Sequence, residues 1–337
     1  MIISWNTTKE CNLYCKHCYR DSGPKEKQAD ELTTSEGKEL LTEIAKAGFK
    51  IMIFSGGEPL LRDDIYQLVE HAASLGMRPV FGTNGMYITE EVAYKLKEAG
   101  AAGMGISLDS VKPEVHDHFR QLEGAWEQAV TGIKNCIEAG LPVQINTTIS
   151  DLNYDEFEEI TDFAIELGAK AHHPFFLVPT GRGKEIERDS VRANRYHQMI
   201  ERIMEKQKEV EIELKPTCAP QFMAVAKEKE MNMRFTRGCL AGTDYCCILP
   251  NGDVHICPYL PVKVGNVKET VFSKLWAEAK IFEELRTMDY KGSCGSCQHI
   301  EICGGCRARA YYYSDGDYMA GEPWCHRGGM LDGKAIR

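Results

Sequence analysis

The chain opens MIISWNTTKECNLYCKHCY (residues 1–19), where a short β-rich apolar run, 2–5, leads directly to three cysteines, Cys11, Cys15 and Cys18. Thiolates spaced CxxxCxxC on one loop can wrap a single soft metal centre, either zinc or an iron–sulfur cluster. Three ligands leave one position open, whereas a structural zinc site is normally closed by four. His17 could supply the fourth in a zinc reading, but its place between Lys16 and Cys18 makes simultaneous ligation awkward. The spacing therefore favours iron–sulfur.

Working outward from that strand, short apolar runs at 2–5, 49–54, 79–82, 103–108, 143–148 and 174–178 alternate with amphipathic stretches. One such stretch is ELTTSEGKELLTEIAKAG, in which Thr33 or Thr34 can cap a helix and Gly48 stops it. The alternation predicts an α/β fold with a parallel sheet, either open and doubly wound or part of a (β/α) barrel. In both, functional residues lie in the loops after the carboxyl ends of the strands. A charged helix is expected over 190–210. Beyond it, ten cysteines and many glycines accompany few long apolar runs, a composition that needs metal staples to hold a small region together. The expected division is 1–210 and 211–337.

Composition excludes several classes. The 337 residues carry 40 Lys+Arg against 50 Asp+Glu, a net charge of −10, with no basic block to grip nucleic acid through its phosphates. No stretch approaches the roughly 18 apolar residues of a spanning helix, and the start lacks the features of a signal peptide. A cytoplasmic protein with no nucleic-acid or membrane partner is expected. In a reducing compartment its 14 cysteines do not form a disulfide framework, which makes metal ligation the first alternative.

The cysteine loop after the first strand, followed at the end of the second by Ser55-Gly56-Gly57-Glu58-Pro59, resembles the radical S-adenosylmethionine superfamily, whose fold is a partial (β/α)6 TIM barrel. The resemblance implies that Cys11, Cys15 and Cys18 hold a 4Fe-4S cluster whose open iron binds S-adenosyl-L-methionine. It further implies that Gly56, Gly57, Glu58 and Pro59, with Thr83, Asn84, Ser107, Asp109, Arg120, Asn146 and Val178 at later strand ends, surround that cofactor. Independently, the glycines suit a close backbone approach to a ligand, and a carboxylate or carbonyl there can accept from an ammonium group. Gln121 stands where relatives often have glycine.

Two zinc ribbons are an open reading of the later cysteines, since CxxC pairs on turns are common zinc ligands. Beside the amino-terminal motif, however, the region resembles the SPASM extension, a small Cys-rich iron–sulfur unit with two auxiliary 4Fe-4S clusters. That resemblance implies Cys239, Cys246, Cys257 and Cys306 for the nearer cluster, and Cys294, Cys297, Cys303 and Cys325 for the farther one. Cys136, Cys218 and Cys247 remain as structural thiols, with a substitute ligand and a substrate-site residue as the alternative roles of Cys218. Gly304-Gly305 gives two residues between Cys303 and Cys306 where the family usually has three.

Segments LKPTCAPQFM, RGCLAGTDYCCILPNGDVHICPYLP and CGGCRARAYYYSDGDYMAGEPWC look like the enzymes of the siroheme-dependent haem pathway. This implies an iron tetrapyrrole substrate and a low-potential electron donor and acceptor. The leading expectation is oxidative decarboxylation of two propionates of iron-coproporphyrin III to vinyl groups, giving haem b. Arg182, Lys184, Arg307 and Arg309 are the expected propionate partners, and His172 or His173 the expected iron ligand. The alternatives are acetate or propionate removal from a siroheme derivative, and peptide or sulfatase-type maturation; a first strand at residue 2 disfavours a leader-peptide maturase.

Overall fold

The structure, a computed structural model, describes residues 1–326, so the end of the expected second division lies outside the described residues. Its first half turns the strand–helix alternation into parallel strands in sequential order. These are β1 (Ile2–Asn6), α1 (Thr34–Lys46), β2 (Ile51–Ser55), α2 (Ile65–Ser74), β3 (Arg78–Thr83), α3 (Glu90–Glu98), β4 (Met104–Ser107), α4 (Pro113–Arg120), α5 (Ala125–Glu138), β5 (Val143–Ile149), α6 (Phe157–Glu166) and β6 (Ala171–Phe176). Apolar side chains of the helices, such as Leu40, Leu41 and Ile44 of α1 and Leu68 and Val69 of α2, bury against Trp5, Phe54 and Phe81 on the outer face of the sheet. Each such side chain contributes about 1.5–3 kcal/mol.

Local signals set the helix limits. Thr33 is the cap of α1: its hydroxyl accepts from the Glu36 amide at 3.3 Å while the Glu36 carboxylate accepts from the Thr33 amide at 2.8 Å, a reciprocal capping box. Thr34 instead donates its hydroxyl to Asp64 at 2.6 Å. The stretches at α1, α2, α3, α5 and α6 all run into a glycine, Gly48, Gly76, Gly100, Gly140 and Gly168, at φ between +75° and +98°, where a side chain would be strained.

The sixth strand starts three residues before its expected position at 174–178 and ends two residues before it. Ala171-His172-His173 pair with β5, and two adjacent histidines obscured that strand in the sequence. The charged helix expected at 190–210 is α7 (Ala193–Glu209), and it is followed by a two-residue strand, β7 (Glu213–Leu214), parallel to β6. The barrel sheet thus gains a seventh parallel strand.

Beyond α8 (Phe222–Glu228), strand β8 (Tyr245–Ile248) pairs parallel with β1, in the register Ile2↔Tyr245 to Trp5↔Ile248. Strands β9 (Asp253–Cys257) and β10 (Leu260–Asn266) follow antiparallel, giving one sheet ordered β10-β9-β8-β1-β2-β3-β4-β5-β6-β7 among the described residues. Helices α9 (Phe272–Glu278) and α10 (Lys280–Thr287) cover its outer side through Phe272, Trp276, Phe282 and Leu285. Short helices α11 (Gly292–Gly295), α12 (Ile300–Cys303) and α13 (Arg307–Tyr313) carry the last cysteines. The Cys-rich extension therefore continues the barrel sheet rather than hanging from it. No described helix is long and apolar enough to cross a membrane.

Replacing Thr33 with Ala should cost about 1 kcal/mol, read as a lower denaturant midpoint with an unchanged slope. An unchanged midpoint would show that the capping box does not set the start of α1.

Candidate active site and metal centres

The cysteine loop after β1 is held from three sides. Cys11 and Cys15 are buried and Cys18 half-buried. Arg182, in the turn after β6, donates from Nε to the Cys15 carbonyl (2.9 Å) and from Nη2 to the Ser22 carbonyl (2.7 Å), with the Tyr14 ring 3.8 Å from its guanidinium. From the second side comes GGEP: the Gly57 amide donates to the Thr8 carbonyl and the Glu58 amide to the Glu10 carbonyl, both at 2.8 Å. A Cβ on Gly57 would lie 2.0 Å from the Glu10 carbonyl oxygen. These glycines admit the cysteine loop's own backbone, where the sequence suggested a ligand. On the third side Lys16 donates its amide to Phe119 at 3.1 Å, and the His17 ring stacks on Phe119 with centroids 4.1 Å apart. His17 is thereby fixed as a packing residue rather than a zinc ligand.

The strand ends predicted to meet the cofactor fall into two groups. Glu58 is fully buried, and its carboxylate accepts from the Thr83 hydroxyl (2.8 Å), the Asn84 amide (3.0 Å) and the Leu60 amide (3.1 Å). Burial pushes that carboxyl up to about 7. It locks the end of β3 to the GGEP turn, which Pro59 continues as a buried first residue of a 3-10 turn. Asn84 in turn donates to Asn12 at 2.8 Å, beside Cys11.

Asp109, after β4, accepts from Arg120 Nε at 2.6 Å and from the Thr148 amide at 2.9 Å, and Arg120 Nη1 lies 3.9 Å from Cys15 Sγ. Burial pushes Asp109's carboxyl up, but the charge and hydrogen bond of Arg120, together with the nearby His17 and His116, hold the group below the usual carboxylate range. Arg120 thus supports the cysteine loop as well as its carboxylate partner. Gln121, standing where glycine is usual, adopts the left-handed conformation (φ +61°), so the loop keeps a glycine-like turn without the glycine.

Strand register identifies what faces the barrel interior, because side chains alternate between faces and partners in register share one. Asn6, Ser55, Ser107, Asn146 and His173 fall on that inner face, with the pairs Asn6↔Ser55, Ser107↔Asn146 and Asn146↔His173. Ser107 and Asn146 are half-buried there. Val178 differs: its side chain is part of the apolar core, leaving only its backbone for a ligand. His172 also differs, being fully buried on the outer face between the Thr161 and Thr147 hydroxyls at 2.9 and 3.0 Å. Of the two histidines, only His173 can look into the interior, with Nε2 3.3 Å from Glu213.

Three of the four expected propionate partners are taken by the protein itself. Arg182 fastens the cysteine loop. Arg307 donates to the Tyr318 and Ala320 carbonyls at 3.1 and 2.8 Å, and Arg309 pairs with Glu322 at 2.9 Å; both are fully buried. Lys184 is exposed. The sequence missed Arg20, whose Nη2 lies 3.5 Å from Cys247 Sγ on the inner face while its Nε has no hydrogen-bond partner.

The later cysteines form two groups. Cys294, Cys297, Cys303 and Cys325, the four named for the farther cluster, line one small cavity with Gln221 and Glu322. The two-residue link between Cys303 and Cys306 works because Gly304 and Gly305 both take positive φ, +77° and +57°. A Cβ on Gly304 would meet Cys239 Cβ at 3.4 Å and one on Gly305 would meet Cys294 Sγ at 3.1 Å, so the turn sits between both groups and directs Cys306 toward the nearer one.

Cys246 does not join the nearer group. It pairs with Ile3, on the outer face, and belongs to the apolar core. Cys247 pairs with Ser4 and His255, which puts it and Cys257 on the inner face. Cys246 is set apart from the expected nearer group because a cysteine pair in a strand must split between faces.

Buried donors without partners fit iron–sulfur groups. Arg237 Nε and Nη2, beside Gly304 and Cys239, and Gln221 Nε2, at the Cys294 cavity, lack hydrogen-bond acceptors; sulfides and thiolates of a bound cluster would provide them. Among the described residues no three His, Cys, Asp or Glu side chains converge as a single metal ion requires. In a 4Fe-4S cluster each thiolate binds a different iron.

Removing Asp109 would leave Arg120 buried without its carboxylate. Asp109→Ala should therefore destabilise the chain by about 3–5 kcal/mol in anaerobic denaturant unfolding. A loss below about 1 kcal/mol would mean that the pair does not hold the loop.

Comparison with known proteins agrees with this geometry. The model of the Radical SAM superfamily matches residues 5–164, and that of an iron-sulfur cluster-binding domain, SPASM, matches residues 239–307. An AdoMet-dependent heme synthase of Methanosarcina barkeri is 41% identical over 96% of this chain and 95% of its own length. An Fe-coproporphyrin III synthase of the same organism is 30% identical over 96% of this chain and 87% of its own. The structure of Streptococcus suis SuiB bound to S-adenosylmethionine superposes with a TM-score of 0.71 at 19% identity, covering 94% of this chain and 75% of that one, a likeness of fold. With its cysteine loop, GGEP turn and cluster-bearing extension, the chain belongs to the radical SAM superfamily and is a SPASM-type iron–sulfur enzyme using S-adenosyl-L-methionine.

Proposed function

We propose that the chain is a haem synthase that converts two propionate side chains of iron-coproporphyrin III into vinyl groups. The observation that carries this reading is the 41% identity to an AdoMet-dependent heme synthase along almost the whole of both chains. At each propionate, one hydrogen atom leaves the carbon next to the ring, carbon dioxide leaves the end, and one electron leaves the remaining carbon skeleton. S-adenosyl-L-methionine with the cluster of Cys11, Cys15 and Cys18 supplies the hydrogen abstraction. The chain's own part is to hold the reactants dry and oriented.

Asn6, Ser55, Ser107 and Asn146 give the inner face polar groups for the cofactor and substrate. Arg20 offers a guanidinium for a propionate, while His173 is the side chain suited to the tetrapyrrole iron. Tyr19, next to Cys18, and Tyr259, two residues after Cys257, have ring centroids 5.0 Å apart. That contact joins the first cysteine loop to the segment carrying Cys257, whose cluster, when bound, would supply an acceptor for the departing electron. Cys11, Cys15 and Cys18 would hold the cluster that takes its electron from a low-potential donor. We assign residues 1–210 to radical generation and 211–337 to the auxiliary clusters, and place the enzyme in the cytoplasm.

A second reading, action one step away on a siroheme derivative, is favoured by the 30% identity to an Fe-coproporphyrin III synthase. Anaerobic incubation with reductant, S-adenosylmethionine and iron-coproporphyrin III should yield haem b with 5′-deoxyadenosine. Deoxyadenosine without any change in the porphyrin, but with conversion of didecarboxysiroheme, would replace the first reading by the second. Cys15→Ala should abolish deoxyadenosine formation, and retained cleavage would refute the assignment of the first cluster.

A further inference from the structure

The nearer auxiliary group lacks a fourth thiol once Cys246 is placed on the outer face. Cys239, Cys257 and Cys306 remain, and two packing contacts bring a fourth cysteine to them. Gly238, immediately before Cys239, presses on Pro220, where a Cβ would lie 2.4 Å from the Pro220 carbonyl oxygen and 2.7 Å from its Cα. Two residues before that proline stands Cys218.

From the other side, Arg309 Nη1 donates to the Cys218 carbonyl at 2.5 Å. The same guanidinium binds Glu322, whose Oε2 accepts from the Cys306 amide at 2.7 Å. The segments carrying Cys218, Cys239 and Cys306 are thereby tied into one knot. Cys306, Cys257 and Cys239 are thiol neighbours of Cys218. Its backbone is left-handed, at φ +59°, a conformation that a non-glycine residue keeps only where its surroundings impose it.

Cys247 offers the competing thiol on the inner face. It donates toward Asn6 Oδ1 at 3.2 Å and receives Arg20 at 3.5 Å, contacts that turn it toward β1 and the first cysteine loop.

We propose that Cys218 is the fourth thiolate of the nearer auxiliary cluster, completing Cys239, Cys257 and Cys306, and that Cys246 and Cys247 are not ligands. The proposal rests on the reading of the chain as an enzyme with two auxiliary clusters. It makes both auxiliary sites fully ligated, and so suited to moving electrons rather than binding substrate. It also joins the nearer cluster directly to the barrel wall, because Thr217 forms a bridge with Phe175 of β6.

The test compares the full-length wild type with C218A, C218S, C246A and C247A, reconstituted anaerobically, by iron and sulfide content and by EPR of the reduced protein. Wild type should hold about twelve irons in three 4Fe-4S clusters; a wild type without auxiliary signals would reject the two-cluster reading itself. In C218A one auxiliary signal should disappear with about four irons, or shift as one iron loses its thiolate. C218S, with an oxygen at the same reach, should shift that signal and supplies the readout if C218A does not fold. C246A and C247A should match wild type in both measures. Unchanged iron and EPR in the Cys218 variants, or loss of a cluster in C246A, would overturn the assignment.

Discussion

The parallel pairing of β8 with β1 fixes the relation between all the parts of this molecule. Ile3↔Cys246 and Ser4↔Cys247 are neighbours in that register, so the strand that begins the barrel also positions the extension. Because alternate side chains take opposite faces, Cys247 and Cys257 join the polar interior while Cys246 joins the apolar core. The cysteine loop leaves β1 at its carboxyl end, one strand away from the extension. The radical site and the nearer auxiliary site therefore share a wall, with Tyr19 against Tyr259 across it. A slip of one residue in that pairing would exchange the two cysteines and move the cluster ligands out of reach.

Holding the cysteine loop consumes much of the buried charge. Arg182 binds its carbonyls, Arg120 with Asp109 stands behind Cys15, and Glu58 ties GGEP to β3. Each of these groups is buried, where removing one partner costs far more than the pair contributes at a surface. In the extension, Arg307 and Arg309 do the same for the segments bearing Cys294, Cys306 and Cys218. The cationic side chains suggested as substrate partners are thus mainly structural, and the interior is left with Arg20 and a set of neutral polar groups.

Much of this was legible in the sequence. Six strands and the helices between them followed from alternation, helix ends from Thr33 and from terminal glycines, and the first cluster from CxxxCxxC with GGEP. What was not legible depends on pairing over long separations. Nothing local to Tyr-Cys-Cys-Ile tells which strand it joins or which cysteine faces inward. Two-residue β7 is too short to show alternation, and His172-His173 hid the start of β6. Arginines near cysteines looked available for carboxylates because sequence does not show which guanidinium is enclosed by carbonyls. Cys218 carried a faint signal, a lone thiol between threonine and alanine ahead of a proline, that became informative only once the fold placed it beside three others.

The most direct test of the account is Mössbauer spectroscopy with iron and sulfide analysis on the anaerobically purified, reconstituted chain, before and after adding S-adenosylmethionine. Three 4Fe-4S clusters at about twelve irons per chain, with only one cluster's parameters changing on addition, would match an open site at Cys11, Cys15 and Cys18 and two closed sites in the extension. A colourless, zinc-containing chain, or iron spectra indifferent to S-adenosylmethionine, would contradict it.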